Sequence, residues 1–308
     1  MSEEPPQEVL LATYIITFLI GFPNSVLAFF SCIRKIHIKP IPIDIIMLNL
    51  AISDLIFLTC LPIKMKEAAD NMVWKMPSGV CRSDVFVYLL PVYSSSLFLT
   101  AIGAERYVCI AFPVKYRSPK RIIYTIPICV VIWVLVAAIF TFVYKAVSTD
   151  SGVAVNTTNQ QTERCYSNFT EKQLAKLLPV QMGLAVVFFF LPLLTCCFCY
   201  INFIRNLLKL PLIKRQRRLR AVGLALGTLL VFASCFAPYN ISHVVAFVKK
   251  ENPKWRTTAL ILSTLNACYD PIIFFCISRE MRSAIKVCAK FFFRCYAYLK
   301  GQFTQNIK

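Results

Sequence analysis

Charged residues make up only 16% of this 308-residue chain, and glycine (8), tryptophan (3) and histidine (2) are scarcer still. With 57% hydrophobic residues and a mean hydropathy of +0.63, so little charge excludes an ordinary soluble domain of this size. Eight glycines without a period exclude a collagen-like chain, the apolar content excludes disorder, and 14 cysteines are too diluted for a small disulfide scaffold. Enzyme signatures are missing too: neither H-E-x-x-H nor G-x-S-x-G occurs. Of the two histidines, His37 lies at a span edge and His243 has no paired nucleophile, so neither an enzyme nor an enzyme cofactor is expected. Acidic residues are few as well, 15 against 34 Lys and Arg, for a net charge of +19. In a soluble protein that excess would suggest nucleic acid; in a membrane protein it first suggests loops sorted by charge.

What the chain does have is apolar runs. A helix needs roughly 20 residues to cross about 30 Å of hydrocarbon. Seven runs qualify, at about 9–33, 43–66, 79–111, 122–146, 173–208, 219–249 and 255–277. The expected fold is therefore an all-α membrane protein, a single seven-transmembrane domain over residues 1–308. Pro127, Pro192 and Pro238 fall inside spans, where kinks are tolerated when neighbours satisfy the freed carbonyls. Cations collect in alternate connections, with Arg34, Lys35 and Lys39 after the first span, Lys115, Arg117, Lys120 and Arg121 after the third, and Lys209 to Arg218 after the fifth. The opposite side holds Glu3, Glu4, Glu8, Asp70, Asp150 and Glu251. The positive-inside bias thus predicts an extracellular N-terminus (1–8) and a cytosolic tail (278–308) in the plasma membrane, and it accounts for the charge without nucleic acid. No cleavable signal peptide is expected, because the N-terminal charges are acidic. No internal repeat is visible, which weakens a transporter reading. An ion channel or transporter with Asp54 and Asp270 on its path is the rival from another class.

Only Cys81 and Cys165 fall on the outer side, an oxidising compartment where a bond between them is expected and two free thiols are the alternative. Asn156 and Asn168 are glycosylation sequons in the outer loop, whereas the sequon at Asn240 lies inside a span. After the seventh span, Arg279, Arg282, Lys286 and Lys290 alternate with Met281, Ile285 and Val287, which predicts a short amphipathic helix on the inner leaflet lipids. Cys288 and Cys295 are candidates there for palmitoylation or remain unmodified.

Polar groups inside spans are costly and hence informative. Asp54, Ser95, Asn266 and Asp270, with Asn24, form an oxygen-rich set without a matching cation. Bound Na⁺ is one solution; protonated carboxylates or waters are the others. Glu105-Arg106-Tyr107 ends the third span with adjacent opposite charges, either a latch strong while water is excluded or a solvated surface pair.

Together Gly21-Phe22-Pro23-Asn24, Leu48 with Asp54, the Cys81 and Cys165 pair, Glu105-Arg106-Tyr107, Trp133, Pro192, Phe236-x-Pro238 and Asp270-Pro271-x-x-Phe274 resemble the rhodopsin-like class of G-protein-coupled receptors. Phe236 replaces the usual Trp, and Asp270 and Phe274 stand where Asn and Tyr are commoner. A closer resemblance rests on Leu61-Pro62-Ile63-Lys64, Ala111-Phe112-Pro113-Val114, Cys165-Tyr166-x-Asn168-Phe169-Thr170, Arg217-Arg218-x-Arg220-Ala221-Val222-Gly223, Pro238-Tyr239-Asn240-x-Ser242-His243, Trp255-Arg256 and Ser263-x-Leu265-Asn266-Ala267. These are similar to the free fatty acid receptor family, especially its short-chain branch. The resemblance implies a receptor for a small extracellular carboxylate that activates heterotrimeric G proteins through Glu105, Arg106 and Tyr107 and engages arrestin. It also implies that an arginine pair in helices five and seven, with a histidine in helix six, holds the carboxylate.

Arg256 and His243 match that pattern, with Tyr239 one turn below His243 on the same face, Asn240 beside it, and Tyr93 retained in helix three. Gln181 occupies the helix-five arginine position, Ser167 replaces an acid, Ile139 a histidine and Leu89 a tyrosine. A charge-assisted hydrogen bond contributes about 1.5–3 kcal/mol, so Gln181 alone would weaken a carboxylate roughly ten- to a hundredfold. Lys64, Lys66 and Lys176 either compensate or snorkel to the interface. Alternatively, Gln181 marks an uncharged ligand.

Overall fold

The computed structural model describes residues 6–70, 73–76, 78–116, 120–149, 171–209, 215–251, 253 and 255–277. Among these, every regular element is helical: α1 (Gln7–Ile38), α2 (Pro42–Ala69), α3 (Ser78–Ala111) with a one-turn extension Pro113–Tyr116, and α4 (Lys120–Thr149). α5 runs as Glu171–Ala185, a π turn Val186–Phe190 and Leu191–Leu208; α6 is Arg215–Lys249; α7 is divided into Arg256–Thr264 and Asn266–Ile277. Five of these helices are long and apolar enough to cross a membrane, the windows lying in α1, α2, α4, α5 and α6. α3 has 34 residues, ample at about 1.5 Å each, whereas α7, in parts of 9 and 12 residues, reaches the roughly 20 residues of a span only by joining them. The helices run past the apolar stretches; α1, for example, continues to Ile38 and carries Lys35 in its last turn, where a cation complements the helix dipole.

α3 sits at the centre, touching α2, α4, α5 and α6, while α1 closes the ring against α2 and α7. The core fills in tiers. Phe98, Leu99, Ile102, Phe189, Phe232 and Phe236 form the largest cluster, and Tyr93, Val136, Phe140, Phe188 and Tyr239 form a second one beside it. Close approach demands a small residue at Gly21, where an added Cβ would come within 3.0 Å of Leu58 and 3.5 Å of the Ala267 carbonyl.

Near two of the helix prolines a hydroxyl from a neighbouring helix donates to a backbone carbonyl. Pro192 has no N–H for the carbonyl four residues back, which is that of Phe188, and the π turn falls there; Ser96 of α3 donates its hydroxyl to that carbonyl at 2.5 Å. Beside Pro238 in α6, the Ser263 hydroxyl of α7 donates to the Cys235 carbonyl at 3.0 Å. In α7 the Leu265 N–H reaches back only three residues, to Leu262 at 3.3 Å, a tightened turn that separates the two halves immediately before Asn266.

Cys165, Asn156 and Asn168, the tail with its expected amphipathic helix, and Cys288 and Cys295 lie outside the described residues, as does the Cys81 side chain.

Candidate functional site

Four helices meet at Arg256, the first residue of α7, which extends its guanidinium toward α5 and α6. Nη1 donates to Gln181 Oε1 at 3.1 Å, and Nη2 lies 3.1 Å from His243 Nδ1. A guanidinium can only donate, so Nδ1 is the acceptor and His243 carries its proton on Nε2. That Nε2–H faces the Tyr93 hydroxyl at 3.4 Å, giving a chain Gln181, Arg256, His243, Tyr93 across α5, α7, α6 and α3. Tyr239 meets the His243 ring edge-on at 4.6 Å between centroids, and the Arg256 guanidinium stands 5.7 Å from the Tyr239 ring, within cation–π range. Tyr93 in turn packs on Phe140 and Phe188. His243 is 1% exposed, Gln181 8%. Leu89 and Ile139 border the same apolar cluster as half-buried side chains, so the two replacements of polar groups give it apolar walls. Asn240 turns back into α6, its amide donating to the Phe236 carbonyl at 2.8 Å, and its Oδ1 is buried without a partner among the described residues. The expected ligand residues therefore converge, with Asn240 aimed partly elsewhere.

Gln181 differs most from expectation. Its amide is no gap in a clamp but the acceptor that tethers Arg256. Lys64 departs too: it neither snorkels nor stands ready for an anion, because Glu67 binds it at 2.9 Å and the Tyr88 ring lies 5.4 Å from its nitrogen. Lys66 is exposed, and the Lys176 side chain is outside the described residues.

Deeper in the bundle a small cavity is lined by Asp54, Ser95, Phe236, Ser263, Thr264 and Asn266 among others. Asn266 donates its amide to Asp270 Oδ2 at 2.6 Å. Asp54 Oδ2, Asn266 Oδ1 and Asp270 Oδ1 are buried without partners among the described residues. This orphaned oxygen set fits a hard cation such as Na⁺, which takes oxygen ligands. The Ser95 hydroxyl already lies 3.1 Å from Ser53, which also meets Ser94 at 2.8 Å. Asn24 is not part of this group: its amide donates to the Ile20 carbonyl of its own helix. Three consecutive serines in an apolar span were the signal for this layer, since Ser94, Ser95 and Ser96 point in turn at α2, the cavity and α5.

At the C-terminal end of α3 the expected Glu105–Arg106 ion pair gives way to another. Glu105 Oε1 pairs at 2.8 Å with Arg121 of α4, while Arg106 Nη1 donates to the Thr228 hydroxyl of α6 at 3.3 Å. Neighbours on a helix point about 100° apart, so adjacent side chains face different helices. Tyr107 takes no part in this pairing and packs edge-on against Phe198 and Phe112. Arg121 and Thr228 were not legible as partners, because pairing across helices depends on the rotation of each.

Residues 10–274 match the 7 transmembrane receptor (rhodopsin family). The chain is 38% identical to free fatty acid receptor 3 of Mus musculus over 275 residues, covering 89% of this chain and 85% of that protein. It is 40% identical to free fatty acid receptor 2 of Homo sapiens over 277 residues, 90% of this chain and 83% of that one. It is also 37% identical to G-protein coupled receptor 42 of Homo sapiens over 266 residues, 86% and 75% of the two chains. With the seven-helix ring, the polar chain at Arg256 and these likenesses, the protein belongs to the rhodopsin family of seven-transmembrane receptors, among the free fatty acid receptors.

Proposed function

We propose that this receptor binds a small extracellular carboxylate, a free fatty acid, and activates heterotrimeric G proteins. The carrying observation is the Arg256 guanidinium, held by Gln181 and His243 over the Tyr239 ring, beside apolar walls suited to an alkyl chain. The names of the relatives support the ligand class and the G-protein partner. A guanidinium offers planar, forked donors matched to a carboxylate. Ligand contacts with Arg256, His243 and Tyr239, on two helices, favour one arrangement of α6 and α7. α6 then swings about Pro238 and opens the cytoplasmic end around Arg106 to the G protein, and afterwards to arrestin.

The chain works as one multi-pass unit of the plasma membrane with its N-terminus outside. Na⁺ held by Asp54, Ser95, Asn266 and Asp270 supplies positive charge that these oxygens lack and favours the resting state. Cys81 and Cys165 are bridged, Asn156 and Asn168 carry glycans, and Cys288 and Cys295 carry palmitate; mass spectrometry of the purified receptor reads all three, and unmodified peptides would remove them.

The test is guanine-nucleotide exchange in reconstituted bilayers. Carboxylates of two to six carbons are expected to stimulate exchange on a co-reconstituted G protein, with no ionic current and no uptake. Current or uptake without exchange would favour the channel or transporter reading.

A further inference from the structure

Gln181 stands where a second arginine is usual in the short-chain branch, and it engages the first. Its Oε1 accepts from Arg256 Nη1 at 3.1 Å, in a setting where Gln181 is buried. An amide oxygen on a guanidinium N–H repeats, without the charge, the contact a carboxylate oxygen makes there. We propose that Gln181 is an intramolecular competitor: its side-chain carbonyl occupies the place on Arg256 that the ligand carboxylate takes, and it thereby sets the concentration at which the receptor responds. The inference rests on the carboxylate reading of Arg256 above.

A competitor attached to the pocket wall leaves only a fraction of receptors with that edge of Arg256 open, and the apparent dissociation constant rises by the reciprocal of the fraction. A hydrogen bond to a charged group shifts such an equilibrium about tenfold or more. The anion wins the exchange because a carboxylate adds the attraction of opposite charges and can take two guanidinium N–H groups at once, whereas the amide oxygen is a single neutral acceptor. Exchange also breaks a link between α5 and α7, since Gln181 and Arg256 are the two ends of that link. Occupied and empty pockets thus differ in a helix–helix contact, the differential contact that a ligand needs in order to shift a conformational equilibrium. His243 holds the other nitrogen of the fork throughout, so releasing Gln181 does not set Arg256 adrift.

The test uses the full-length receptor with its G protein in bilayers, with acetate, propionate and butyrate as probes. Gln181→Met keeps the length and removes the acceptor, Gln181→Ala removes both, and Gln181→Glu makes the competitor an anion. Met and Ala are expected to lower the half-maximal concentration about tenfold, by the same factor for all three acids because the release acts on Arg256 and not on the alkyl chain. Glu is expected to raise it about tenfold or more at equal surface level. If Met and Ala weaken the response or leave it unchanged, or if the shift varies with chain length, Gln181 is a ligand contact or a bystander and the proposal is overturned. Arg256→Ala runs alongside: a carboxylate response that survives it overturns the proposed function itself, whereas its loss with no gain in the Gln181 variants overturns this inference alone.

Discussion

At the scale of single residues, the C-terminal end of α3 is only partly satisfied. Glu105 Oε2, Arg106 Nη2 and Arg121 Nε are all buried without partners among the described residues. A buried polar network with open valences is costly in one arrangement and can exchange partners for another. Two arginines compete for one carboxylate, and Arg121 holds it here at 2.8 Å, leaving Arg106 to the Thr228 hydroxyl. Arg121→Ala should let Glu105 recapture Arg106 and reduce ligand-independent nucleotide exchange about two- to fivefold, the range of a single partly exposed pair. Thr228→Ala, which releases Arg106 from α6, should raise exchange by a similar factor. Basal exchange at matched receptor density reads both; equal shifts in one direction would contradict the competition.

At the scale of elements, each irregularity of the bundle has a polar side chain beside it. The π turn of α5 follows from Pro192 and is met by Ser96; the break in α7 at Leu265 precedes Asn266, whose amide reaches Asp270. The proposed Na⁺ site therefore joins α2, α3 and the half of α7 that follows that break. Raising Na⁺ should reduce carboxylate affinity, and Asp54→Asn should abolish the dependence, because an ion bound preferentially to one state is linked to a ligand that prefers the other. Sodium sensitivity that persists in Asp54→Asn would remove the site. The seven-helix architecture was legible because apolar run length fixes it, and so was the burial of Asp54, Asn266 and Asp270 inside the bundle, because such residues are rare in apolar runs. What escaped were partners: Gln181 read as a lost cation, Lys64 as either a compensating cation or one snorkelling to the interface, and Glu105 as the mate of its neighbour. Each is decided by helix rotation and packing between distant segments, which spacing along one helix does not encode.

For the whole molecule, polarity is arranged as a bilayer requires. Leu19, Leu194 and Leu230 are each more than 60% exposed around the outside, while Asp54 and Asp270 are buried at the axis. In water such an exterior would aggregate; in hydrocarbon it is neutral, and the costly groups are gathered where they face one another. The polar chain at Arg256 and the charged cluster at Arg106 meet α6 at His243 and at Thr228, with Tyr239, Phe236 and Phe232 between them along the helix. Phe232 also stacks face to face on Phe189 of α5, 6.0 Å between ring centroids. Such a layout suits a receptor in which an outer ligand biases an inner cavity through the tilt of one kinked helix.

The central claim is that the ligand's negative charge meets Arg256. The direct measurement compares one carboxylate with its methyl ester on the wild-type receptor and on Arg256→Ala, reading nucleotide exchange on the G protein. The acid is expected to be at least about tenfold more potent than the ester on the wild type, and Arg256→Ala should erase most of that difference by weakening the acid alone. An ester equal to the acid on the wild type, with Arg256→Ala changing neither, would contradict the account.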